Sequence, residues 1–379
     1  MTEIIPFKFG MILGRTVNIQ NNSIGLDIFS ELTTTTIECP SKTISCEAIQ
    51  SSADVNNVLD ISSDMSLKIK AGHLNMEGIG TYIKEERVDN TLEIMLRAHV
   101  KTMSETLTNS QPKNGWKSRG VTHYIRSIVY GGDLVARICT KSTDPRIIEV
   151  IKGNVKAAFL TDGQISSNTE VRRNRNTHLS EMNISYYSTT LEGEIPTDLG
   201  GLLKALMQFT SEVKKINGGK GSPLMCELVP LNQLDSSIPV ISNIRGIMTK
   251  LGPFEEKYDD TRDAEKMLKK FEEDNLASFT DKQNERCMNI QQRIGRVLEH
   301  FTDFIANMDL TQTKTASKLE HAANVYQENI RRIGFQAEVR QFIHEVEASR
   351  TAAFDLTAWK AFIFAALASL GILLVKNHH

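Results

Sequence analysis

The chain has 379 residues, of which 40% are hydrophobic and 24% are charged, and its formal net charge is −2. This composition is typical of a folded chain with room for two or three domains. A net charge close to zero gives no electrostatic footprint for nucleic acid, so the sequence predicts no nucleic-acid partner.

Two features bear on the cellular compartment. The first ten residues contain Glu3 and no long apolar run, so we expect no conventional secretory signal peptide. We therefore expect a protein that is cytoplasmic until it is released or associates with a membrane, with non-conventional secretion as the alternative. The five cysteines show no CxxC spacing, which predicts separate reduced thiols; a Cys39–Cys46 disulfide is the alternative.

The segment Asp54–Lys84 carries two periodicities at once. Read as a helix, one face carries Met65, Ile69, His73, Met76, Ile79 and Ile83. Read as a strand that slips by one residue at its first glycine, the apolar side carries Leu67, Ile69, Ala71, Gly72, Leu74 and Met76. Glycine lowers helix propensity by about 1 kcal/mol against alanine. The pattern leaves both readings open, and we interpret the segment as poorly committed to either state.

Long strands with a bend are predicted next. Thr91–Lys101 places apolar side chains on one face and Glu93, Arg97, His99 and Lys101 on the other, which predicts a strand. Because His99 lies on the polar face, we expect its side chain to be solvated. Val121–Thr140 is a second strand candidate, and the pair Gly131–Gly132 predicts a bulge or sharp bend within it. Leu224–Leu231 is a third. Strands of this length with a glycine bend indicate a large curved sheet.

Helical patterns surround the third strand. Thr197 or Asp198 caps a predicted helix whose apolar residues recur at three- and four-residue steps up to Ile216. Two further apolar stripes, Cys287–Met308 and Leu319–Ala337, follow on either side of a polar break. They predict antiparallel helices of a bundle, with a long coiled coil as the alternative.

The last segment, Ala361–Val375, is fifteen residues without a charge, and aromatic and basic residues flank it. As a helix it spans roughly 23 Å, against a hydrocarbon core of ~30 Å. A core or interfacial helix and a membrane-contacting tail are therefore both open. The candidate anchor residues are Trp359, Phe362, Phe364, Leu370 and Leu374.

No constellation of catalytic or metal-binding residues emerges from the sequence. There is no HExxH, GxSxG or EF-hand motif among the nine histidines and the carboxylates. The glycine-rich run Gly218–Ser222 follows a helix instead of opening one, so it does not fit a phosphate loop. We expect no enzyme activity, no cofactor, no metal and no small-molecule substrate.

Short motifs in the first two-thirds of the chain resemble a known family. Thr122-His123-Tyr124, followed by Ile128–Gly132, is similar to the "G-T-H-Y/F … G-G" strand of the membrane-attack-complex/perforin (MACPF) superfamily, with the stonustoxin-like branch as the closest resemblance. Gly120 stands near the family's glycine, although Val121 separates it from the motif. Supporting segments, which extend the match over about residues 5–240, are Phe9–Leu13, Ser66–Tyr82 and Leu228–Ser237.

The resemblance implies an α+β fold. A bent antiparallel four-stranded sheet, flanked by two helical clusters, would precede an all-α bundle similar to focal-adhesion-targeting domains. By position, 1–238 would be the perforin-like domain, 239–350 the bundle and 351–379 an apolar C-terminal helix. Gly131 and Gly132 match the bend at which the family's sheet flexes. The clusters would be about Ala53–Asn90 and Gly153–Leu191.

The second cluster contains a polar tract, Asp162–Glu181, between two short alternating patterns. The candidate membrane-inserting residues there are Val155, Ala157, Phe159, Met182 and Ile184. A charge on a lipid-facing strand costs roughly 2–4 kcal/mol at mid-bilayer. The tract is therefore either a hairpin tip that emerges on the far side of the membrane or a sign that the chain no longer perforates.

The function that the resemblance implies is pore formation, as in cytolytic toxins. Soluble subunits would oligomerise, with copies of themselves or with a paired homologous subunit, and refold both clusters into transmembrane β-hairpins in a lipid membrane. The rival hypothesis is a non-lytic, intracellular, membrane-associated scaffold with the same fold. The two differ in whether release of the first cluster is needed for activity.

Overall fold

A computed structural model shows an α+β protein with an antiparallel sheet and several helices. The structure describes residues 2–19, 23–76, 78–85, 91–117, 120–141, 146–160, 182–190, 195–238, 245–275, 279–310, 312, 314–331 and 333–351. The chain divides into two compact units. The first is Met1–Glu255 with Ile305–Ser317, and the second is Glu256–Phe304 with Lys318–His379. The domain boundaries expected from the sequence stay a prediction.

An eight-stranded sheet, counted over the described residues, forms the centre of the first unit. Its strands are β1 (Glu3–Pro6), β2 (Arg15–Asn18), β3 (Ser23–Asp27), β4 (Thr34–Ala48), β5 (Leu92–Leu107), β6 (His123–Thr140), β7 (Met182–Ser188) and β8 (Ser222–Pro230). The expected count of four strands is too low for this sheet. Strands of four or five residues, such as β1 to β3, are too short to show an alternation in the sequence.

Four neighbouring strands, β4 to β7, form one antiparallel ladder. Their registers align a single row in which Ala48 pairs with Ile94, Ile94 with Ile138, and Ile138 with Ile184. β6 has 18 residues, so it pairs with β7 along its C-terminal half and with β8 and β2 along its N-terminal half. The three strands predicted from the sequence are confirmed as β5, β6 and β8.

Helices cover both faces of this ladder. They are α1 (Ser52–Leu59), α2 (Ser63–Lys70), α3 (Ile79–Lys84), α4 (Arg146–Leu160), α5 (Leu199–Val213) and the beginning of α6 (Arg245–Asn275). On one face, Ile94 and its even-numbered neighbours on β5 share a core with α4 and α5. The predicted cap of α5 is confirmed, because Asp198 Oδ1 accepts a hydrogen bond from the Gly201 N–H at 2.7 Å.

The opposite face of β5 corrects an expectation. This face lies beneath α1 to α3, where Met95 joins their apolar core. His99, which the sequence places in solvent, has a side chain that is only 12% exposed, and Glu93 and Arg97 on the same polar face are buried at 3% and 8% exposure. The reason is that partners from distant segments pair these charges, and alternation along one strand does not reveal such partners.

The second unit consists of helices and short connections in its described residues. It contains the remainder of α6, most of α7 (Asp281–Ala306) and of α8 (Lys314–Asn329), and residues 335–351. Ile294 and Phe301 of the predicted apolar stripe are buried. Asp260 accepts hydrogen bonds from Tyr326 Oη at 2.9 Å and from the Phe335 N–H at 2.6 Å, where residues 335–351 begin. The assignment as a focal-adhesion-targeting-like bundle stays a prediction.

The predicted C-terminal tail cannot be placed on this fold. Its candidate anchor residues Trp359, Phe362, Phe364, Leu370 and Leu374 lie outside the described residues, as does the polar tract Asp162–Glu181. In the part of the chain that is described, none of the helices combines the length and the apolar character that a membrane crossing requires.

All five cysteines are free thiols, so the alternative of a Cys39–Cys46 disulfide is wrong. Cys46, Cys226 and Cys287 are buried, and burial raises their pKa values to about 11, 12 and 11. Cys39 and Cys139 are partly exposed.

Alkylation of the native protein at pH 8 is therefore expected to modify only Cys39 and Cys139. A thiol whose pKa is raised by two units has about a hundredfold less thiolate at this pH, and burial also blocks the reagent. Peptide mass spectrometry after a short pulse of iodoacetamide checks this. Modification of all five cysteines at equal rates, with denatured protein as the reference, would contradict the packing of these three thiols.

Candidate membrane-insertion site

Both long insertions in the ladder leave from the same end of the sheet. β4 and β5 are paired up to Ala48 and Ile94, and residues 49–91 connect them. β6 and β7 are paired up to Thr140 and Met182, and residues 141–181 connect them. Leu92 also pairs with Thr140, so these residues and Met182 form one row at the end of the ladder, and both connections lie beyond that end. Each connection can therefore lengthen its own strand pair without a change of partner.

The first connection folds into α1, α2 and α3, so the structure adopts the helical reading of this segment. A reciprocal cap begins α1, since Ser51 Oγ accepts from the Asp54 N–H at 3.2 Å and Asp54 Oδ2 accepts from the Ser51 N–H at 2.7 Å. α1 ends at Asp60, whose φ is 54°, and α2 ends just before Gly72, whose φ is 80°. Left-handed residues end helices because they reverse the chain direction.

The apolar side of the first cluster packs on the sheet. Leu59, Met65 and Ile69 are buried in one core with Met95 and Val135 of the sheet. Burial of such a side chain stabilises a protein by about 1.5–3 kcal/mol relative to exposure. Extension of the cluster would therefore have to replace this environment with another apolar one.

The candidate inserting residues of the first cluster occupy different environments. Leu67, Ile69 and Leu74 are buried, and Met76 is partly buried against the same core. Ala71 is partly exposed and Gly72 is exposed, at the turn that follows α2. The structure thus brings four of the six candidates into the protein interior and leaves the glycine turn at the surface.

A charge cluster in the sheet holds the C-terminus of α1. The Arg97 guanidinium donates to Asp133 Oδ1 at 2.9 Å and to Oδ2 at 3.1 Å, and its Nη1 donates to the Leu59 carbonyl at 2.6 Å. His99 Nδ1 lies 2.7 Å from Asp133 Oδ1. Burial raises the pKa of Asp133, but the His99 hydrogen bond and the Arg97 charge outweigh it, so the pKa lies below its ordinary value.

A second charge cluster holds the end of α3. Arg137 of β6 donates to Glu93 Oε2 at 2.8 Å and to Glu85 Oε2 at 2.6 Å, and Glu85 is the residue at which α3 ends. Tyr82 Oη donates to the Val135 carbonyl at 3.3 Å. Polar contacts therefore fix the first cluster to the sheet at two places, in addition to the apolar core.

The second connection begins with α4 in the described residues. The predicted alternation of Val155, Ala157 and Phe159 is helical here: Val155 and Phe159 are buried against α5 and the sheet, whereas Ala157 is exposed. A spacing of four residues places Val155 and Phe159 on one helical face. Met182 and Ile184 lie on β7, partly buried on the same side of the sheet.

The residues of the family motif join the start of β6 to β2. Thr122 Oγ1 donates to the Val17 carbonyl at 3.1 Å and accepts from the Ile19 N–H at 3.0 Å. The Gly120 carbonyl, at a residue with φ of 82°, accepts from Asn18 Nδ2 at 2.8 Å. In the same motif, His123 Nδ1 lies 2.9 Å from Thr122 Oγ1, and the Tyr124 ring packs edge-on against Phe29. These contacts give the motif a structural role.

His123 is expected to make the fold sensitive to acid. It is 3% exposed, and burial lowers its pKa to about 4 from an ordinary 6.5. The unfolded chain therefore binds a proton first as the pH falls. This group lowers the free energy of unfolding between about pH 6.5 and pH 4, by up to roughly 3 kcal/mol.

Urea unfolding at pH 7 and pH 4.5 checks this expectation. His123→Asn does not titrate, so its loss of stability over this interval is expected to be smaller than that of the wild type. Equal losses in the two proteins would show that His123 is protonated without penalty in the fold.

The glycine pair lies where β6 closely approaches the backbone of β5 and a side chain of α5. A Cβ at Gly131 would lie 1.8 Å from the Val100 carbonyl oxygen, and one at Gly132 would lie 2.3 Å from Val213 Cγ2. The register between β5 and β6 shifts between Lys101 and Met103, next to this point. The predicted irregularity at the glycine pair is present, and the close approach explains why both positions lack a side chain.

Sequence reasoning missed Asp133 and the buried roles of Arg97 and Arg137. The only available signal was the row of charges on a strand with an apolar opposite face, which is also typical of a solvated surface. Among the described residues, no group of three or more His, Cys, Asp or Glu side chains is arranged to hold a metal ion.

Comparison with known proteins identifies similar folds. No protein-family model matches the chain, and no curated protein matches it. Among solved structures, stonustoxin is 14% identical, and the match covers 92% of this chain and 48% of that chain with a TM-score of 0.50. Wild-type pneumolysin is 10% identical over 62% of this chain and 61% of that chain, with a TM-score of 0.38. Listeriolysin O is 12% identical over 61% and 59%, with a TM-score of 0.34.

The likeness to stonustoxin is one of fold, and it agrees with the fold that the sequence resemblance implies. The other two TM-scores are below 0.5, and no conclusion rests on them. This chain spans about half the length of the stonustoxin chain that it matches. Membership of the stonustoxin-like branch and the order of domains stay predictions.

Proposed function

We propose that this chain is a pore-forming protein whose two sheet insertions refold into transmembrane β-hairpins. The observation that carries the proposal is the arrangement of the ladder. Residues 49–91 join β4 to β5, residues 141–181 join β6 to β7, and both segments leave the sheet at the same end. Continuation of these strands pairs the backbone groups that face each other within the ladder, and a neighbouring subunit would have to pair those at its two outer edges, because a bilayer requires a partner for each donor and acceptor.

The first insertion has a suitable length and turn for such a hairpin. A membrane-spanning strand needs about 9–11 residues, and residues 49–70 and 73–91 supply two longer arms. A two-residue turn at Ala71 and Gly72 would place Ile69 opposite Leu74 and Leu67 opposite Met76. Gly72 already has a positive φ, as the second central position of a type I′ hairpin turn requires, whereas Ala71, with a φ of −79°, would have to change. The register differs by one residue from that of Ala48 with Ile94, so one bulge is needed.

Assembly would use the exposed edge of β4. Among the described strands, β4 pairs only with β5, and most of its first half is exposed. An open edge of 15 residues is a template for a strand of another subunit, and Pro40 with the bulge between Glu38 and Ser41 limits uncontrolled pairing. The partners are therefore a lipid membrane and either further copies of this chain or a homologous paired subunit.

The proposal assigns the remainder of the chain according to the stonustoxin-like plan that the sequence resemblance implies. Residues 1–238 would be the perforin-like domain, 239–350 a focal-adhesion-targeting-like bundle and 351–379 an apolar helix that contacts the membrane. In this plan the protein is cytoplasmic until it is released or associates with a membrane. The polar tract Asp162–Glu181 would form the hairpin tip that crosses and emerges.

Dye release from liposomes tests the proposal directly. Purified protein is expected to release trapped calcein and to form rings or arcs that negative-stain electron microscopy resolves on the same vesicles. Heat-unfolded protein at the same concentration is the control for non-specific damage. Absence of both release and rings across neutral, anionic and sterol-containing liposomes would reject pore formation and favour the non-lytic scaffold.

A further inference from the structure

Polar side chains of α2 are buried together with its apolar side. Ser66 and Lys68 are buried, and the Lys70 side chain is 3% exposed. Buried ammonium groups are strongly unfavourable unless a counter-ion and hydrogen bonds compensate for the loss of water. Burial of the lysines of α2 therefore depends on compensating partners, and the partners described next lie outside the sheet.

Glu255 of α6 supplies these partners. It is 1% exposed and lies within the same compact unit as α1 and α2. Its Oε1 accepts from Lys70 Nζ at 2.6 Å and from Ser66 Oγ at 2.5 Å, and its Oε2 accepts from Asn56 Nδ2 at 2.8 Å. Lys70 Nζ also donates to Ser52 Oγ at 2.8 Å. One carboxylate thus binds side chains from both α1 and α2.

A second carboxylate acts on the neighbouring lysine. Burial lowers the pKa of Lys68, and the charges of Asp64 and Asp309 oppose that shift. Asp309 belongs to the stretch Ile305–Ser317, which is part of the same unit although it is far along the chain. Two distant segments therefore place negative charge against the basic residues of α2.

The side chains bound by Glu255 all lie at even-numbered positions of a longer alternating sequence pattern. From Ile49 to Ala71, odd positions are mostly apolar or small, and even positions are polar with the exception of Val58. The polar row consists of Gln50, Ser52, Asp54, Asn56, Asp60, Ser62, Asp64, Ser66, Lys68 and Lys70. In an extended hairpin, this row faces water and the odd row faces lipid. Every side chain in the Glu255 network belongs to the polar row.

We propose that Glu255 is a latch that holds the first cluster in its helical state by binding the residues that face water after insertion. The inference rests on the proposed function for the inserted state, but the compact state can be tested alone. The hairpin cannot extend until the contacts of Asn56, Ser66 and Lys70 with Glu255 break. Release then returns these groups to water while the apolar row enters lipid.

One feature of the network favours release. Asn56 Oδ1 is buried and has no hydrogen-bond partner among the described residues. A partly satisfied buried network is less favourable than a complete one, so the latch holds the cluster with a built-in penalty. Such a device suits a segment that must be stable in solution and still change its state at a membrane.

Hydrogen exchange of the protein without lipid tests the latch. Glu255→Gln keeps the shape of the side chain but removes the counter-ion of Lys70, so the amides of residues 52–70 are expected to exchange about tenfold faster. The amides of β5 and β6 are expected to keep their wild-type rates. Glu338→Gln, which removes the partner of Arg293 in the second unit, is the matched control and is expected to leave residues 52–70 unchanged.

The outcomes separate the latch from pore formation. Unchanged exchange of residues 52–70 in Glu255→Gln overturns the latch, whatever liposomes show. Faster exchange with no dye release from either protein supports the latch and rejects the pore. If Glu255→Gln also loses protection in β5 and β6, Lys70→Met replaces it as the test variant, because it removes the cation and keeps the carboxylate. The latch then requires faster exchange of residues 52–70 and wild-type exchange of β5 and β6 in Lys70→Met.

Discussion

A disulfide between cysteines at positions 63 and 252 is expected to abolish membrane permeabilisation, and its reduction is expected to restore it. A Cβ at Gly252 would lie 3.9 Å from Ser63 Oγ, and no other atom lies within 4 Å of it. This separation is compatible with disulfide geometry after a small side-chain adjustment. Ser63 begins α2 and Gly252 lies in α6, so the bond joins the first cluster to a helix outside the sheet. A covalently tethered α2 cannot become a membrane-spanning strand.

Dye release is measured for Ser63→Cys/Gly252→Cys before and after treatment with dithiothreitol. Each single-cysteine variant and the wild type, treated in the same way, control for oxidation of the partly exposed native Cys39 and Cys139. Intact mass after alkylation verifies that the crosslink has formed. Full release by verified, oxidised protein would show that permeabilisation does not need the first cluster to leave its place, which would contradict the proposed refolding. The non-lytic scaffold predicts no release from any of these proteins, oxidised or reduced.

The long strands were predictable because their information is local. β5 and β6 alternate over enough residues to define a period of two, and the glycine pair within β6 marks the irregularity. The N-cap of α5 was equally visible, since Asp198 stands directly before the apolar repeat. The short strands β1 to β3 contain too few residues to carry such a signal, so the sheet is larger than its sequence pattern indicates.

The state of the first cluster was not predictable from its own sequence. Both periodicities are present, and the choice between them depends on residues far along the chain. Arg97 donates a hydrogen bond to the last residue of α1, and Glu255 accepts hydrogen bonds from α1 and α2 although it lies more than 180 residues away in the sequence. Such partners decide the local conformation, and no window of neighbouring residues contains them.

The same argument explains the misjudged face of β5. A row of charges on one side of a strand normally faces water, because burial of an unpaired charge is strongly unfavourable. Here Glu93 pairs with Arg137, and Arg97 pairs with Asp133, in each case across two strands. Because these charges are compensated, the charged face of β5 is buried beneath helices. If the first cluster leaves the sheet, this face becomes exposed, and its polar character then suits water.

Gly131→Ala is expected to destabilise the first unit by about 3 kcal/mol. The new Cβ would lie 1.8 Å from the Val100 carbonyl oxygen and 3.0 Å from the Lys101 Cα, and both are backbone atoms of the paired strand. Backbone atoms cannot rotate away as a side chain can, so β5 and β6 must separate locally and lose ladder hydrogen bonds. For a domain of this size, the change corresponds to a fall of roughly 6–12 °C in Tm.

Gly153→Ala is the matched control in the same unit. Gly153 lies within α4, and a Cβ there would meet no atom within 4 Å. This substitution is expected to stabilise the helix by about 1 kcal/mol, since alanine has the higher helix propensity. Thermal unfolding followed by circular dichroism compares the two variants with the wild type. A Gly131→Ala protein as stable as Gly153→Ala would mean that β5 and β6 do not approach each other as closely at Gly131 as the structure shows.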